Sequence, residues 1–70
     1  MMEEFRGGAY PKSLVAESFD ISLKETISLN GTREIIGRRK RDNGIETIIF
    51  WEDERGLYTA WGRGWYPLRP

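Results

Sequence analysis

From Ser18 to Leu29 the chain alternates with a period of two. Phe19, Ile21, Leu23, Ile27 and Leu29 fall on odd positions, and Asp20, Ser22, Lys24, Thr26 and Ser28 on even ones. That is the pattern of a strand with one face buried. Glu25 interrupts the apolar set and predicts a bend, a bulge or a division there. Just upstream, a short helix over Ser13 to Phe19 competes with an extended chain. Gly7-Gly8 and Tyr10-Pro11 break regular structure nearer the N-terminus. Residues 1–12 are therefore expected as a flexible tail, pinned if at all by Phe5 or Tyr10. Residues 13–70 are expected as a single small β domain.

Two Asn-Gly pairs, Asn30-Gly31 and Asn43-Gly44, each separate strand-like runs. Asn-Gly is the preferred centre of a two-residue type I′ hairpin, whose central residues both need positive φ. A third turn is expected at Asp53-Glu54-Arg55-Gly56, and a fourth at Gly62-Arg63-Gly64, leading into Trp65-Tyr66-Pro67-Leu68. Pro67 cannot donate to a ladder, which assigns that piece to an edge or a closing segment. The pattern predicts a mostly β fold, an antiparallel meander of four to five strands forming an SH3-like or OB-like partly open barrel. The alternative is a twisted antiparallel sheet with a short N-terminal helix. There is no RRM-type aromatic run, and Trp51, Trp61 and Trp65 lie too close together for a WW domain.

If both Asn-Gly pairs are two-residue loops, the register follows. Arg41 then pairs with Glu46, Arg39 with Ile48, Gly37 with Phe50, and Ile27 with Glu34. One face carries Ile27, Leu29, Ile36, Ile45, Thr47, Ile49 and Trp51, with Glu34 and Arg38 as polar exceptions, and is expected to be the core. The other carries Thr26, Ser28, Arg33, Ile35, Gly37, Arg39, Arg41, Glu46, Ile48 and Phe50. Gly37 is expected beneath a facing Phe50, a pairing that stabilises strands. A one-residue slip would exchange part of these sets.

Composition then narrows the chemistry. Seventy residues make one domain, and 39% hydrophobic residues with 13% aromatic ones supply a core. With neither cysteine nor histidine, disulfides, thiolate metal sites and imidazole-activated nucleophiles are excluded. The acidic start Met1-Met2-Glu3-Glu4 is unlike a secretory leader, and no apolar run reaches membrane-span length. The expectation is a cytoplasmic protein with no membrane contact. Net charge is zero, which disfavours a general polyanion binder but leaves room for a local basic patch.

Arg38-Arg39-Lys40-Arg41 is the densest charge cluster. It reads either as a solvated strand end that discourages edge pairing or as a phosphate contact. In the second case Arg33, Arg39, Arg41 and an exposed Phe50 would form a single-stranded nucleic-acid surface. The rings of Trp51, Tyr58, Trp61, Trp65 and Tyr66 are too many for so small a core to bury completely. Trp61, Arg63, Trp65 and Tyr66 are therefore the candidate partner-binding residues, with closure of a barrel end as the plainer account. Glu52-Asp53-Glu54 lacks calcium-loop spacing and reads as a solvated hairpin tip. No serine has a histidine to activate it, so no catalytic residue, metal ligand or cofactor is assigned.

The expected function is that of a non-catalytic binding module. Its partner is expected to be another protein, which a small regulator or inhibitor of the kind phages and mobile elements encode would engage. Nucleic-acid binding is the alternative, and a homodimer is open.

Overall fold

A computed structural model describes Phe5 and residues 7–68. One short helix, α1 (Lys12–Glu17), precedes four strands: β1 (Ser22–Ile27), β2 (Arg33–Arg41), β3 (Gly44–Glu52) and β4 (Tyr58–Pro67). The strands form one antiparallel meander in the order β1-β2-β3-β4, and the sheet is not closed. The architecture is mostly β with a short N-terminal helix, and it has four strands where four to five were expected. No helix among the described residues is long and apolar enough to cross a membrane.

α1 has no side-chain cap, and its first turn hangs on the Pro11 carbonyl, which accepts from the Leu14 and Val15 amides. A helix this short cannot stand on propensity. Packing holds it: Val15 and Phe19, four residues apart, are both buried against the sheet. Where the segment before Pro11 is described, it belongs to the fold. Phe5 is 2% exposed in the core, and Tyr10 exchanges two backbone hydrogen bonds of 2.8 Å with Tyr58. At those two positions the expected tail is an ordered part of the domain. Pro11 and Lys12, also expected in the tail, cap and open α1, and residues 1–4 and 6 lie outside the described residues.

Both Asn-Gly sites depart from the two-residue scheme. At the β2–β3 hairpin the two central residues are Asp42 and Asn43, with φ of 53° and 63°, and Arg41 pairs with Gly44. Asp and Asn tolerate the left-handed region through their short polar side chains. Gly44 is thereby released into the strand, where the Trp65 indole lies on its bare Cα, in the space a Cβ would need. The β1–β2 loop is longer. Gly31 N–H donates to the Ser28 carbonyl at 2.9 Å, Ser28 N–H to that of Thr32 at 2.8 Å, and Gly31 has φ of 89°. That is a type I turn followed by a left-handed glycine. The expected turn at Asp53-Gly56 is present with the same closure, Gly56 N–H donating to Asp53.

These turns set the register. Between β2 and β3 the pairing lies two residues from expectation: Arg39 faces Glu46, Gly37 faces Ile48, and Ile35 faces Phe50. A shift of two keeps every side chain on its side, so the two sets sorted from the sequence hold for these strands. Between β1 and β2 the shift is one, with Ile27 opposite Arg33, and the side chains of β1 exchange faces.

Although Ile45, on the expected face, is also buried, the main core lies on the face opposite to the expected one. Ile35, Ile48, Phe50 and Tyr58 are buried there beneath Phe5, Val15 and Phe19. Both sides of β2 and β3 carry isoleucine, so alternation alone does not choose between them. The N-terminal segment chooses. Phe5 meets Phe50 edge-on at 5.2 Å and stacks on Phe19 at 5.8 Å, while Phe19 sits over Gly37. Gly37 is thus covered by an aromatic ring, but by Phe19 rather than Phe50. The expected fourth turn does not form. β4 runs straight through Gly62-Arg63-Gly64, with a bulge opposite the Ile49–Phe50 step. Pro67 sits on the edge strand, as its missing N–H requires.

Candidate functional site

The covered face ends in a polar cluster beyond the aromatic core. Glu46, 7% exposed, accepts from Arg39 Nε at 2.8 Å, Arg41 Nη1 at 3.3 Å and Arg63 Nη1 at 3.3 Å. The Arg39 guanidinium also lies over the Phe5 and Phe19 rings, 5.6 and 5.3 Å from their centroids. Such a bridge ties β2, β3 and β4 together, with charge-assisted hydrogen bonds compensating burial of the carboxylate. Trp65 adds a hydrogen bond of 2.9 Å from its Nε1 to the Arg41 carbonyl.

The opposite face is open. Side chains directly across from one another form four rows over it. The first row is Thr26, Glu34, Trp51 and Thr59. In the second row Lys24, Ile36 and Ile49 meet Gly62. The third is Ser22, Arg38, Thr47 and Gly64, and the fourth Lys40, Ile45 and Tyr66. The bulge adds Trp61 beside Gly62 on this side, where its ring meets Trp51 at 4.7 Å with a tilt of 32°. Trp51 is held in place by an Nε1 hydrogen bond of 2.8 Å to Glu34. Trp51, Trp61 and Tyr66 are 45%, 51% and 50% exposed. Three half-exposed rings on one sheet face, with isoleucines between them, make a contiguous apolar surface rather than scattered exposed residues.

Two shallow grooves flank Trp51. One, of about 650 Å³, runs past Thr32, Glu52, Glu54 and Thr59, and the other, of about 440 Å³, past Ser28, Leu29 and Glu34. The end of the molecule that holds them is acidic. Asp53 there accepts from the Arg55 and Leu57 amides, and the Arg55 guanidinium at 2.7 Å holds its carboxyl below the usual carboxylate value. Arg33 Nε lies 3.6 Å from Glu52 at the same end. Among the described residues no group of carboxylates is arranged to hold a metal ion.

The sequence-derived candidates divide across the sheet. Trp61 and Tyr66 share the open face, while Arg63 and Trp65 stand on the covered side, bonded to Glu46 and to Arg41. The nucleic-acid set does not assemble as an exposed surface. Phe50 is fully buried, so its expected exposure is corrected. Arg39 and Arg41 converge on Glu46, and Arg33 lies at the far end by Glu52. Sequence reasoning missed Trp51, Ile36 and Ile49 as surface residues because they were assigned to the core. It also missed Lys24 and Lys40 as cations on that face, whereas Arg38 was already placed there with Trp51. The available signal was the glycine pair Gly37 and Gly44, which marks the side where rings approach the backbone.

The fold and surface define a small open antiparallel meander, covered on one face and aromatic on the other. No family model matches the chain, no curated protein matches its sequence, and no solved structure matches its fold.

Proposed function

We propose that the protein is a non-catalytic protein-interaction module, a small cytoplasmic regulator or inhibitor, and that it docks through the open face of its sheet. One observation carries this reading: Trp51, Trp61 and Tyr66 lie half-exposed together on a face whose floor is Ile36, Ile49 and Thr47. Interfaces are enriched in aromatics and arginine at their centres. Their binding energy concentrates in a few tryptophan, tyrosine and arginine side chains. Rigid placement also favours binding, since Glu34 fixes one indole and the second leans on it. The lack of cysteine and histidine supports a role without nucleophilic chemistry in a reducing compartment.

The test compares wild type with a Trp61→Ala, Tyr66→Ala double variant, both immobilised and exposed to lysate of the native cell, with quantitative mass spectrometry of what is retained. Each truncation at a hot spot costs about 2 kcal/mol, so a specific partner should be depleted by roughly 30-fold or more from the variant. Equal retention of every protein by both forms would remove the open face as the docking surface.

A second reading has its own support. Lys24, Arg38 and Lys40 lie on the same face as the rings and outnumber Glu34, the combination that single-stranded nucleic acid uses. Tryptophan quenching by an oligonucleotide with a steep salt dependence would replace the first reading with this one.

A further inference from the structure

We infer that the occupant of the open face is a second copy of the chain, packed sheet to sheet about a two-fold axis that lies across the strands. The inference rests on reading that face as a protein-binding surface. A two-fold contact must be self-complementary, each residue meeting another and being met by it. The four rows satisfy that condition.

With the axis between the second and third rows, each strand lies over its own counterpart running the opposite way. The first row then meets the fourth, and the second meets the third. Glu34 faces Lys40 of the second copy, so the acidic side chain in the four rows finds an opposite partner twice. Trp51 faces the position of Ile45, which is only 9% exposed in the single chain and adds little surface, and Ile49 faces Thr47. The bulged Trp61 faces Gly64 of the second copy, where an added Cβ would meet nothing within 4 Å. A tryptophan thus stands over an open place in its mate. Ile36 meets Arg38, whose stem can lie along apolar surface while its guanidinium reaches water. Packed sheets stand about 10 Å apart and cross at roughly 30°, so these are pairings of neighbourhoods.

Area and edges agree. Four strands about 4.8 Å apart, of six, nine, nine and ten residues, span about 540 Å² of flat sheet. Side chains standing off that plane bring it toward the roughly 800 Å² per partner of a stable complex. The β4 edge offers less. β4 is blunted by its bulge and by Pro67, and Tyr10 already bridges Tyr58, devices that prevent edge pairing.

Sedimentation velocity across a wide concentration range tests the inference on four forms of the full chain. Wild type should pass from one chain to two as concentration rises. Glu34→Lys places lysine against Lys40 and should raise the dimer Kd by about tenfold or more. Adding Lys40→Glu to the same chain should restore dimerisation, which loss of the Trp51 hydrogen bond alone would not allow. Gly64→Leu starts from a position whose Cβ would meet nothing within 4 Å, and it should keep its far-UV circular dichroism and cooperative unfolding while remaining monomeric. A wild type that stays monomeric throughout overturns the inference, as does a dimer that survives both Glu34→Lys and Gly64→Leu. If wild type is monomeric yet the Trp61→Ala, Tyr66→Ala variant loses a specific lysate protein, the second copy is removed as occupant and the protein-binding reading stands. If those substitutions change neither assay, both readings fall.

Discussion

Replacing Gly37 with alanine adds a single methyl group to the middle of β2, and the fold leaves no place for it. A Cβ there would lie 2.6 Å from two ring atoms of Phe19 and 2.8 Å from a third. Carbon atoms settle at about 3.5–4.0 Å, so the ring must retreat by roughly an ångström. It is boxed in. Phe5 stacks on it at 5.8 Å, Phe50 meets it at 5.7 Å, and the Arg39 guanidinium lies over its face. Overpacking of this kind costs about 1–3 kcal/mol. Against it stands the backbone entropy that alanine saves in a strand, about 0.5–1 kcal/mol. The packing term wins, for a net loss of about 1–2 kcal/mol. In a domain of this size that lowers Tm by roughly 5–15 °C.

Urea unfolding followed by far-UV circular dichroism measures the loss, at one fixed protein concentration because self-association would move the midpoint. A second substitution separates packing from strand propensity. In a Phe19→Leu background the obstacle is reduced, so the penalty of Gly37→Ala should shrink toward zero or change sign, with a coupling of about 1 kcal/mol or more. Gly64→Ala, compared at a protein concentration low enough to keep the chain single, serves as the control and should be neutral or stabilising by up to about 1 kcal/mol, since nothing in the chain lies near its added methyl. Should Gly37→Ala unfold at the wild-type urea concentration, or should the two substitutions prove additive, Phe19 does not rest on Gly37 and the covered face has been placed wrongly.

Two further outcomes follow from the covered side. Glu46→Ala removes the carboxylate on which Arg39, Arg41 and Arg63 converge, and breaking a buried pair in this way should cost about 3–5 kcal/mol, read as a lower melting temperature; a loss below about 1 kcal/mol would show the cluster to be ornamental. Burial, with the Glu52 carboxylate adding to it, raises the Tyr58 pKa above the usual tyrosine value. A raised folded-state pKa gives stability that is full below about pH 10 and lost as pH climbs toward the folded value, so wild type should lose part of its stability above about pH 10. Tyr58→Phe should lose less over that range in parallel thermal melts, and identical alkaline profiles would count against burial of the hydroxyl.

Much of the fold was legible because it depends on neighbours in sequence. The period-two runs, the turn-forming residues and the edge position of Pro67 all report local requirements. The exact pairing did not, because two local signals competed with distant ones. Asn43-Gly44 has the composition of a turn centre, yet Gly44 is needed against Trp65, some twenty residues on, and the reversal moves back to Asp42-Asn43. The choice of core face was likewise beyond local reach. Ile35, Ile48 and Phe50 on one side and Ile36, Ile45 and Ile49 on the other are equally apolar, and only the docking of Phe5, Val15 and Phe19 separates them.

The candidate surface turns on an even smaller feature. In an unbroken strand Trp61 would share a side with Arg63 and Trp65, and Tyr66 would stand alone on the other. The bulge inserts one residue, placing Trp61 and Gly62 together on the side of Gly64 and Tyr66. That one residue brings Trp61 to Trp51 and leaves Arg63 and Trp65 to brace Glu46 and Gly44 from behind. The division suits an edge strand, whose outer side chains lack a neighbour on one flank and must be fixed from another direction. β4 is fixed from its back, through the arginine cluster and the indole laid on Gly44, and this leaves its front free to present aromatic rings in a set geometry. Composition could name these aromatics as surplus to the core. Which two of them face outward together depends on whether the chain spends one residue or two opposite the Ile49–Phe50 step, and a glycine at position 62 makes that bulge easy without dictating it.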